Sequence, residues 1–230
     1  MQRITVRLCC VLLSCTLLSC QLTPTEKAPT TPAFDPQTFS GGSVYEILPG
    51  ESYMDIFVYR AGALKNFGHN HIVTASNING KVYLHPEFKK SGLTLELPVY
   101  DFEVDNSDKR KTAGEEFSSI PSAKDIKGTR DNMLGEHVLD AENFPLIRIV
   151  STKITGTSSA AGISLRINIK GRDHDITVPV SITVKGNKMT VEGNAELSQS
   201  ELGMTPFSIL MGAIAISDRL NIRFHFAAGS

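Results

Sequence analysis

Two histidines separated by a single residue give this sequence its clearest potential for chemistry. His69 and His71 lie in the segment Gly-His-Asn-His at 68–71. On a β-strand both side chains would point to the same face, with Cα atoms about 7 Å apart. Two imidazoles so placed can share a zinc, copper or iron ion, but a transition metal needs at least one further ligand. The candidates for that ligand lie near a predicted helix: Asp131, Glu136 and His137.

Two other interpretations of the histidine pair need no metal. Both rings could form hydrogen bonds at the entrance of a strand, or they could bind the polar or phosphorylated head group of a ligand. We favour the hydrogen-bonded pair over the metal site, because the sequence does not define a third ligand. The chain also lacks a Gly-x-Ser-x-Gly elbow and a phosphate-binding Gly-x-x-x-x-Gly-Lys loop. We therefore predict that the protein is not an enzyme.

Cys20 ends a segment that resembles the lipobox of bacterial lipoproteins. Two arginines precede an apolar stretch of about eleven residues, which suits an export signal and is too short to span a bilayer. The stretch closes on Leu-Leu-Ser-Cys at 17–20, where the thiol would receive the lipid. A second Leu-Leu-Ser-Cys ends at Cys15, but its apolar stretch is shorter. We predict a signal peptide over 1–19 and acylation of Cys20, with an uncleaved anchor or an ordinary secretory signal as alternatives.

Acylation of Cys20 would decide the compartment and the redox chemistry of the chain. Acyl chains would hold it on a membrane, and Gln21 after the cysteine favours the outer membrane of a bacterial envelope, with the protein facing the periplasm. All four cysteines lie at or before position 20, so the mature chain would contain no disulfide. The Pro- and Thr-rich composition of residues 20–42 predicts a disordered tether before one domain over 43–230.

The charge of the mature chain excludes nucleic acid as an expected partner. The whole sequence has a formal net charge of −1, and loss of the two arginines of the signal peptide leaves −3. A mildly acidic chain without a run of basic residues is a poor match for a phosphate backbone.

Alternation of apolar and polar residues with a period of two predicts that most of the domain consists of β-strands. The predicted strands are at 44–48, 52–60, 71–85, 92–105, 146–156, 164–170, 175–185, 189–197 and 220–226. Gly186-Asn187 predicts a tight hairpin. A single helix is predicted from Ser122 to Leu134, with Gly135 at its end. Eight or nine strands with short turns predict an antiparallel barrel or sandwich with an apolar interior and a charged exterior.

Two stretches of the sequence resemble the YceI-like family. The first runs from Gly-Thr-Arg-Asp-Asn-Met-Leu at 128–134 to Phe-Pro at 144–145, as in the helix and exit segment of that family. The second has Ile-Lys-Gly at 169–171 and Val-Pro-Val at 178–180, as in the family's hairpin. The resemblance covers about residues 43–228, while the Gly-His-Asn-His segment departs from the general family pattern.

This resemblance implies an all-β fold, an extended eight-stranded antiparallel lipocalin-like barrel with one short helical insertion. It also implies a ligand, because members of the family hold a long-chain isoprenoid in the barrel. A polyisoprenoid, an isoprenoid quinone or another lipid would be the bound molecule, and a membrane b-type cytochrome becomes a candidate partner. A transition metal at His69 and His71 stays the less favoured cofactor, and a structural lipoprotein that presents its surface to a protein partner is a further alternative.

The barrel interior is where the ligand would bind. An eight-stranded barrel can hold one ligand or be filled by its own side chains, and the sequence leaves both open. The apolar run at 209–216 does not alternate, and it is either a lid or rim at the mouth or a buried core segment. The candidate ligand-binding side chains are the apolar members of the alternating C-terminal strands: Ile167, Ile169, Val178, Val180, Val191, Ala195, Ile222, Phe224 and Phe226.

Overall fold

The computed structural model describes residue 39 and residues 41–230. The predicted signal peptide over 1–19, the predicted acylation at Cys20 and nearly all of the predicted tether over 20–42 lie outside the described residues. The strands of the described part are β1 (Ser43–Ile47), β2 (Tyr53–Ala61), β3 (His71–Ala75), β4 (Asn79–Leu84), β5 (Gly92–Pro98), β6 (Glu103–Val104), β7 (Leu146–Thr157), β8 (Ala160–Ile169), β9 (Arg172–Lys185), β10 (Lys188–Ser198), β11 (Ser208–Ile209) and β12 (Ile214–Gly229). The α-helices of this part are α1 (Ser107–Thr112) and α2 (Ala123–Leu134).

The sheet closes into a barrel. Its strand order is β1–β4–β5–β7–β8–β9–β10–β12, and β12 pairs again with β1. Another part of strand β12 pairs with β2. The sheet then continues from β2 to β3 and from β3 to β6. The pairs β1 and β2, β3 and β4, and β5 and β6 thus form three long, interrupted strands. The predicted eight-stranded antiparallel barrel is confirmed.

The N-terminal strands break where the sequence predicted continuous strands. Residues 76–78 separate β3 from β4, and a 3₁₀ turn at Val99–Asp101 separates β5 from β6. The second break follows Pro98, which has no backbone N–H for a sheet ladder. Ile78 and Val99 are nevertheless buried, so the apolar pattern does not mark the breaks.

The C-terminal strands follow the predicted hairpins. Lys185 pairs with Lys188, which leaves Gly186 and Asn187 as a two-residue loop. Gly186 has a φ of +61°, a conformation that glycine adopts at little cost. Charged side chains lie outside, as in the exposed pair of Arg166 Nε and Asp175 Oδ1 at 2.9 Å.

The predicted helix is confirmed as α2, with Ser122 as its N-cap and Gly135 as its C-cap. The short helix α1 was not predicted. Asn106 caps it by accepting hydrogen bonds from the backbone N–H groups of Asp108 and Lys109. Among residues 39 and 41–230, no helix combines the length and apolar character needed to cross a bilayer.

One half of the barrel interior is filled by side chains. We call this the packed half, and it lies where β1 pairs with β4 and β12. Its buried side chains belong to a single apolar core: Tyr45, Ile47, Val82, Leu93, Ile154, Ile163, Val180, Ile182, Met189, Val191 and Phe226.

Candidate functional site

A cavity of about 550 Å³ occupies the other half of the barrel, which we call the hollow half. This volume lies in the usual range for small-molecule sites, roughly 300–1,000 Å³. The walls are mainly aliphatic, and they come from strands on all sides of the barrel and from α2. Wall residues from six of these elements are Ile56, Ile149, Leu165, Ile176, Leu220 and Met133.

The predicted interior side chains divide between the two halves. Five of them line the cavity: Ile167, Ile169, Val178, Ile222 and Phe224. Val180, Val191 and Phe226 are buried in the packed half, and Ala195 is half-buried against the core. Alternation therefore identified inward-facing positions without showing at which height along the barrel each one lies.

Strand β9 shows how one alternating pattern serves both halves. Ile176 and Val178 line the cavity, whereas Val180, the next residue on that face, is buried below it. The floor of the cavity is at Phe224, which lines it and stacks on Phe226 with ring centroids 5.1 Å apart.

Gly193 makes room for this floor. It pairs with Phe224 across β10 and β12. A Cβ atom at Gly193 would lie 2.5 Å from Cζ of Phe224 and 2.6 Å from the backbone oxygen of Pro179. Because neither distance is compatible with a real contact, a side chain at this position would displace the ring.

Helix α2 covers one side of the cavity. Its lining residues are three or four positions apart and share one helix face: Lys124, Asp125, Gly128, Thr129, Asn132 and Met133. A capping box fixes its first turn, because Ser122 Oγ accepts from the Asp125 N–H at 3.2 Å while the Ser122 N–H donates to Asp125 Oδ2 at 3.1 Å. The polar start of α2 therefore borders the cavity.

His71 is the best-positioned polar side chain of the cavity lining. It starts β3, and its Nδ1 lies 2.6 Å from Oδ2 of Asp105. The opposite ring nitrogen, Nε2, lies 3.4 Å from Oγ1 of Thr129 on α2, which also lines the cavity. An ionised carboxylate can only accept hydrogen bonds, so Nδ1 carries a proton and the ring orientation is fixed. Nε2 and the Thr129 hydroxyl are thus available to a polar group in the cavity.

Asp105 is the centre of a buried charged network behind His71. Its carboxylate accepts hydrogen bonds from the backbone N–H of Ile72 and from the Arg110 guanidinium, which also donates to backbone oxygens of Asn70 and Ser119. Burial favours the neutral carboxyl, but the hydrogen bond and charge of His71, the Ile72 N–H and the charge of Arg110 outweigh it, so the pKa of Asp105 is lowered. The network is therefore ionic at neutral pH.

His69 lies near His71 but outside the strand. Both rings line the cavity, with centroids 6.3 Å apart. The predicted third ligands lie elsewhere: Asp131 pairs with Lys127 at 2.6 Å, while Glu136 and His137 are exposed and adjacent to each other. In the described part of the chain, no three His, Cys, Asp or Glu side chains are grouped to hold a metal ion. Metal binding by the pair stays a prediction.

The apolar run at 209–216 lies at the edge of the cavity. Ile214, Ala215 and Ile216 line it, whereas Ile209, Leu210 and Met211 are exposed. This placement agrees with a rim at the mouth and not with a buried core segment.

Sequence reasoning missed Asp105, Arg110 and Thr129. The signal for a helix start was present, because Asn106 and Ser107 precede a polar run that now forms α1. The pairing of Asp105 with His71, 34 positions away, depends on β3 and β6 lying side by side. No local pattern encodes that contact.

Comparison with known proteins gives a consistent match at the level of family and fold. The sequence matches the model of the YceI-like domain over residues 45–228. No curated protein matches the sequence significantly.

Two solved structures share the fold. BcnA of Burkholderia cenocepacia is similar with a TM-score of 0.58 and 17% identity, over 79% of this chain and 98% of that protein. The YCEI protein of Campylobacter jejuni is similar with a TM-score of 0.50 and 13% identity, over 69% of this chain and 84% of that protein. At these identities the likeness concerns the fold alone.

Proposed function

Because this chain belongs to the YceI-like family, whose barrels are known for lipid and polyisoprenoid binding, we propose that it binds one long-chain apolar molecule in the hollow half of its barrel. The ligand class is a polyisoprenoid, an isoprenoid quinone or another lipid with a long apolar chain. We further propose that the protein acts in the bacterial envelope as a lipoprotein anchored through Cys20. A binding role, and not catalysis, is the activity assigned to it.

The cavity itself carries this proposal. Its walls come from buried or half-buried aliphatic side chains, and its floor is Phe224, which stacks on Phe226 below it. Such a site removes an apolar chain from water, which stabilises the complex by about 25 cal/mol per Å² of apolar surface buried. Few polar groups in the lining would compete for water.

The polar groups of the lining support one orientation of the proposed ligand. His71 and Thr129 lie on the side covered by α2, and Lys124 and Asp125 lie at the start of that helix. We place the apolar chain of the ligand on the Phe224 floor and its polar end beside His71 and Thr129. Nε2 of His71 and Oγ1 of Thr129 can each take part in a hydrogen bond to that end.

Native mass spectrometry of the full chain purified from the envelope tests the ligand. We expect a bound mass of several hundred daltons that is lost on extraction with organic solvent. Val178→Trp places a large ring in the cavity and should remove most of that mass. Val184→Trp, at the exposed end of the same strand, is the matched control and should keep it. A parent protein that carries no noncovalently bound mass would exclude the proposal.

The anchor needs its own experiment. Metabolic labelling with a radioactive fatty acid should label the full chain, and Cys20→Ala should abolish the label and release the protein from washed membranes. Cys15→Ala tests the alternative lipobox and should leave labelling unchanged. Labelling that is lost in Cys15→Ala and kept in Cys20→Ala would show that Cys15 is the acylated residue.

A metal-binding or redox accessory role is the second candidate, favoured by the placement of His69 and His71 on one cavity wall. It would make a membrane b-type cytochrome a reasonable partner. Metal analysis of untagged protein decides it: close to one equivalent of a transition metal, lost in His69→Ala and in His71→Ala, is the result this role requires. A metal content below a tenth of an equivalent rules it out.

A further inference from the structure

An exposed apolar rim borders the mouth of the cavity. We define the rim as Leu64, Phe67, Phe207, Leu210 and Met211, all exposed to solvent. Leu210 is 63% exposed and Met211 is completely exposed. Both residues also have positive φ values, +49° and +54°, which are uncommon for residues other than glycine.

The backbone of Leu210 and Met211 is held in an unfavourable state. The left-handed region is disfavoured for residues with a side chain, and two consecutive non-glycine residues adopt it here. Both apolar side chains are also exposed to water, which adds a second unfavourable contribution. Strained backbone of this kind is concentrated at functional sites, where it presets a contact surface.

The rim is continuous with the cavity. Phe67 and Phe207 belong both to the exposed rim and to the cavity lining. The two rim segments are joined, because the Leu64 N–H donates to the backbone oxygen of Ala213 at 2.7 Å. The exposed rim and the lining of the hollow half therefore share apolar side chains at the mouth.

The charges beside the rim favour an anionic bilayer over a second copy of this chain as its partner. Arg60, Lys65 and Lys124 line the mouth, and Asp125 is the acidic residue among them. An apolar surface flanked by excess positive charge fits the interface of a bilayer that contains anionic phospholipid, where apolar side chains enter the acyl region and basic groups meet phosphates. A second copy of this chain would bring the same positive charges together and is disfavoured.

We propose that the rim inserts into the surface of an anionic bilayer and opens the cavity directly to membrane lipid. The ligand then passes between the acyl region and the hollow half without crossing water. The transfer role rests on the lipid-binding function proposed above, whereas insertion of the rim does not.

The proposed anchor is compatible with this orientation. Phe39, the first described residue, stacks on Tyr83 of β4 with ring centroids 5.2 Å apart, and Gly41 shares a surface groove with Val184 at the packed half, the end opposite the rim. Residues 21–38 can reach at most about 65 Å when fully extended. Strand β12, the longest of the barrel with 16 residues, spans about 50 Å. The predicted tether is therefore longer than the barrel, so the rim can reach the membrane although the tether leaves the domain at the opposite end.

The absence of tryptophan from the sequence allows a direct test. Met211→Trp in the full chain places a single fluorophore on the rim, and Val184→Trp places one at the opposite end. Each protein is mixed with vesicles of phosphatidylcholine and phosphatidylglycerol whose acyl chains carry bromine, a short-range quencher. We expect at least twofold quenching of Met211→Trp and no significant quenching of Val184→Trp. Equal quenching of both, or none for Met211→Trp, would overturn the proposal.

A second pair of variants measures transfer. Leu210→Ser with Met211→Ser should slow uptake of ligand from the same vesicles about tenfold while leaving the final bound mass unchanged. Val44→Ser with Val184→Ser removes two exposed apolar side chains from the opposite end and should leave the rate unchanged. Lack of a bound mass with intact rim quenching would remove the ligand proposal alone. A bound mass without rim quenching would remove the rim proposal alone.

Discussion

The packed half and the hollow half of this barrel share strands β5, β7–β10 and β12 but are held together by different means. The packed half is filled by apolar side chains such as Tyr45, Met189 and Phe226. The hollow half has a cavity where its core would be, and helix α2 and the buried network of His71, Asp105 and Arg110 support its edge. A cavity forfeits contacts that a filled core would make. The comparison predicts that polar interactions at the edge stabilise the hollow half, where apolar packing is missing.

Removal of the buried carboxylate should have the largest effect. Asp105→Asn leaves Arg110 without its buried ion-pair partner and weakens the hold on His71, so we expect the free energy of unfolding to fall by about 3–5 kcal/mol. Denaturant unfolding measures the change. The matched control is Asp175→Asn, which breaks the exposed pair with Arg166 and should have a much smaller effect. An equally small effect of both would mean that the network does not support the hollow half.

The same variant has a defined pH dependence. The folded state lowers the pKa of Asp105, so this carboxylate stabilises the fold above its unfolded pKa and loses that contribution as the pH falls. The stability advantage of the parent over Asp105→Asn should therefore shrink as the pH falls below about 4, the usual pKa of an aspartate in an unfolded chain. A difference that grows on acidification would contradict the assigned ionisation.

Enlarging equivalent residues in the two halves sharpens the comparison. Val180→Phe adds a ring to a filled core and should lower the free energy of unfolding by about 2–3 kcal/mol. Val178→Phe, two residues earlier on the same face of β9, can extend into the cavity and should cost less than about 1 kcal/mol. Thermal and denaturant unfolding of both variants provide the measurement. An equal loss of unfolding free energy in both variants would show that the cavity has no room for the larger ring.

A substitution at the boundary between the halves should have a smaller effect than Val180→Phe. Gly193→Ala introduces one methyl group against Phe224 and the Pro179 oxygen, and it should lower the free energy of unfolding by about 1–2 kcal/mol. Gly128→Ala is the control, and we expect it to raise the free energy of unfolding. Its Cβ would meet no atom within 4 Å, and alanine should stabilise the interior of α2 by about 1 kcal/mol. Stabilisation by both substitutions would mean that the floor at Phe224 can move freely.

The strands and the helix were predictable because their evidence is local, whereas the closed eight-stranded barrel was implied by the resemblance to the YceI-like family. Alternation in β7–β10 and β12, the Gly186 hairpin and the Ser122 cap each depend on neighbouring residues, and each corresponds to an element of the structure. The breaks after Ala75 and Pro98 were missed because buried apolar residues continue through them.

The candidate site was only partly predictable, for a geometric reason. A period of two assigns a side chain to the interior but gives no height along the barrel, so Val178 and Val180 look equivalent in the sequence while only Val178 lines the cavity. His71 was singled out from its spacing to His69, but its partner Asp105 reaches it through pairing of β3 with β6. Contacts of this kind depend on the complete fold.

The closure of the barrel between its first and last strands has a kinetic consequence. Ser52 and Ala227 exchange two hydrogen bonds although they are 175 positions apart, and β1 pairs with residues 228–229 of β12. Contacts between such distant segments form slowly, because a long loop must close before they are gained. During synthesis, the barrel cannot close until these late residues are available. Under the envelope location that we propose, this delay would keep the chain unfolded until it has crossed the membrane.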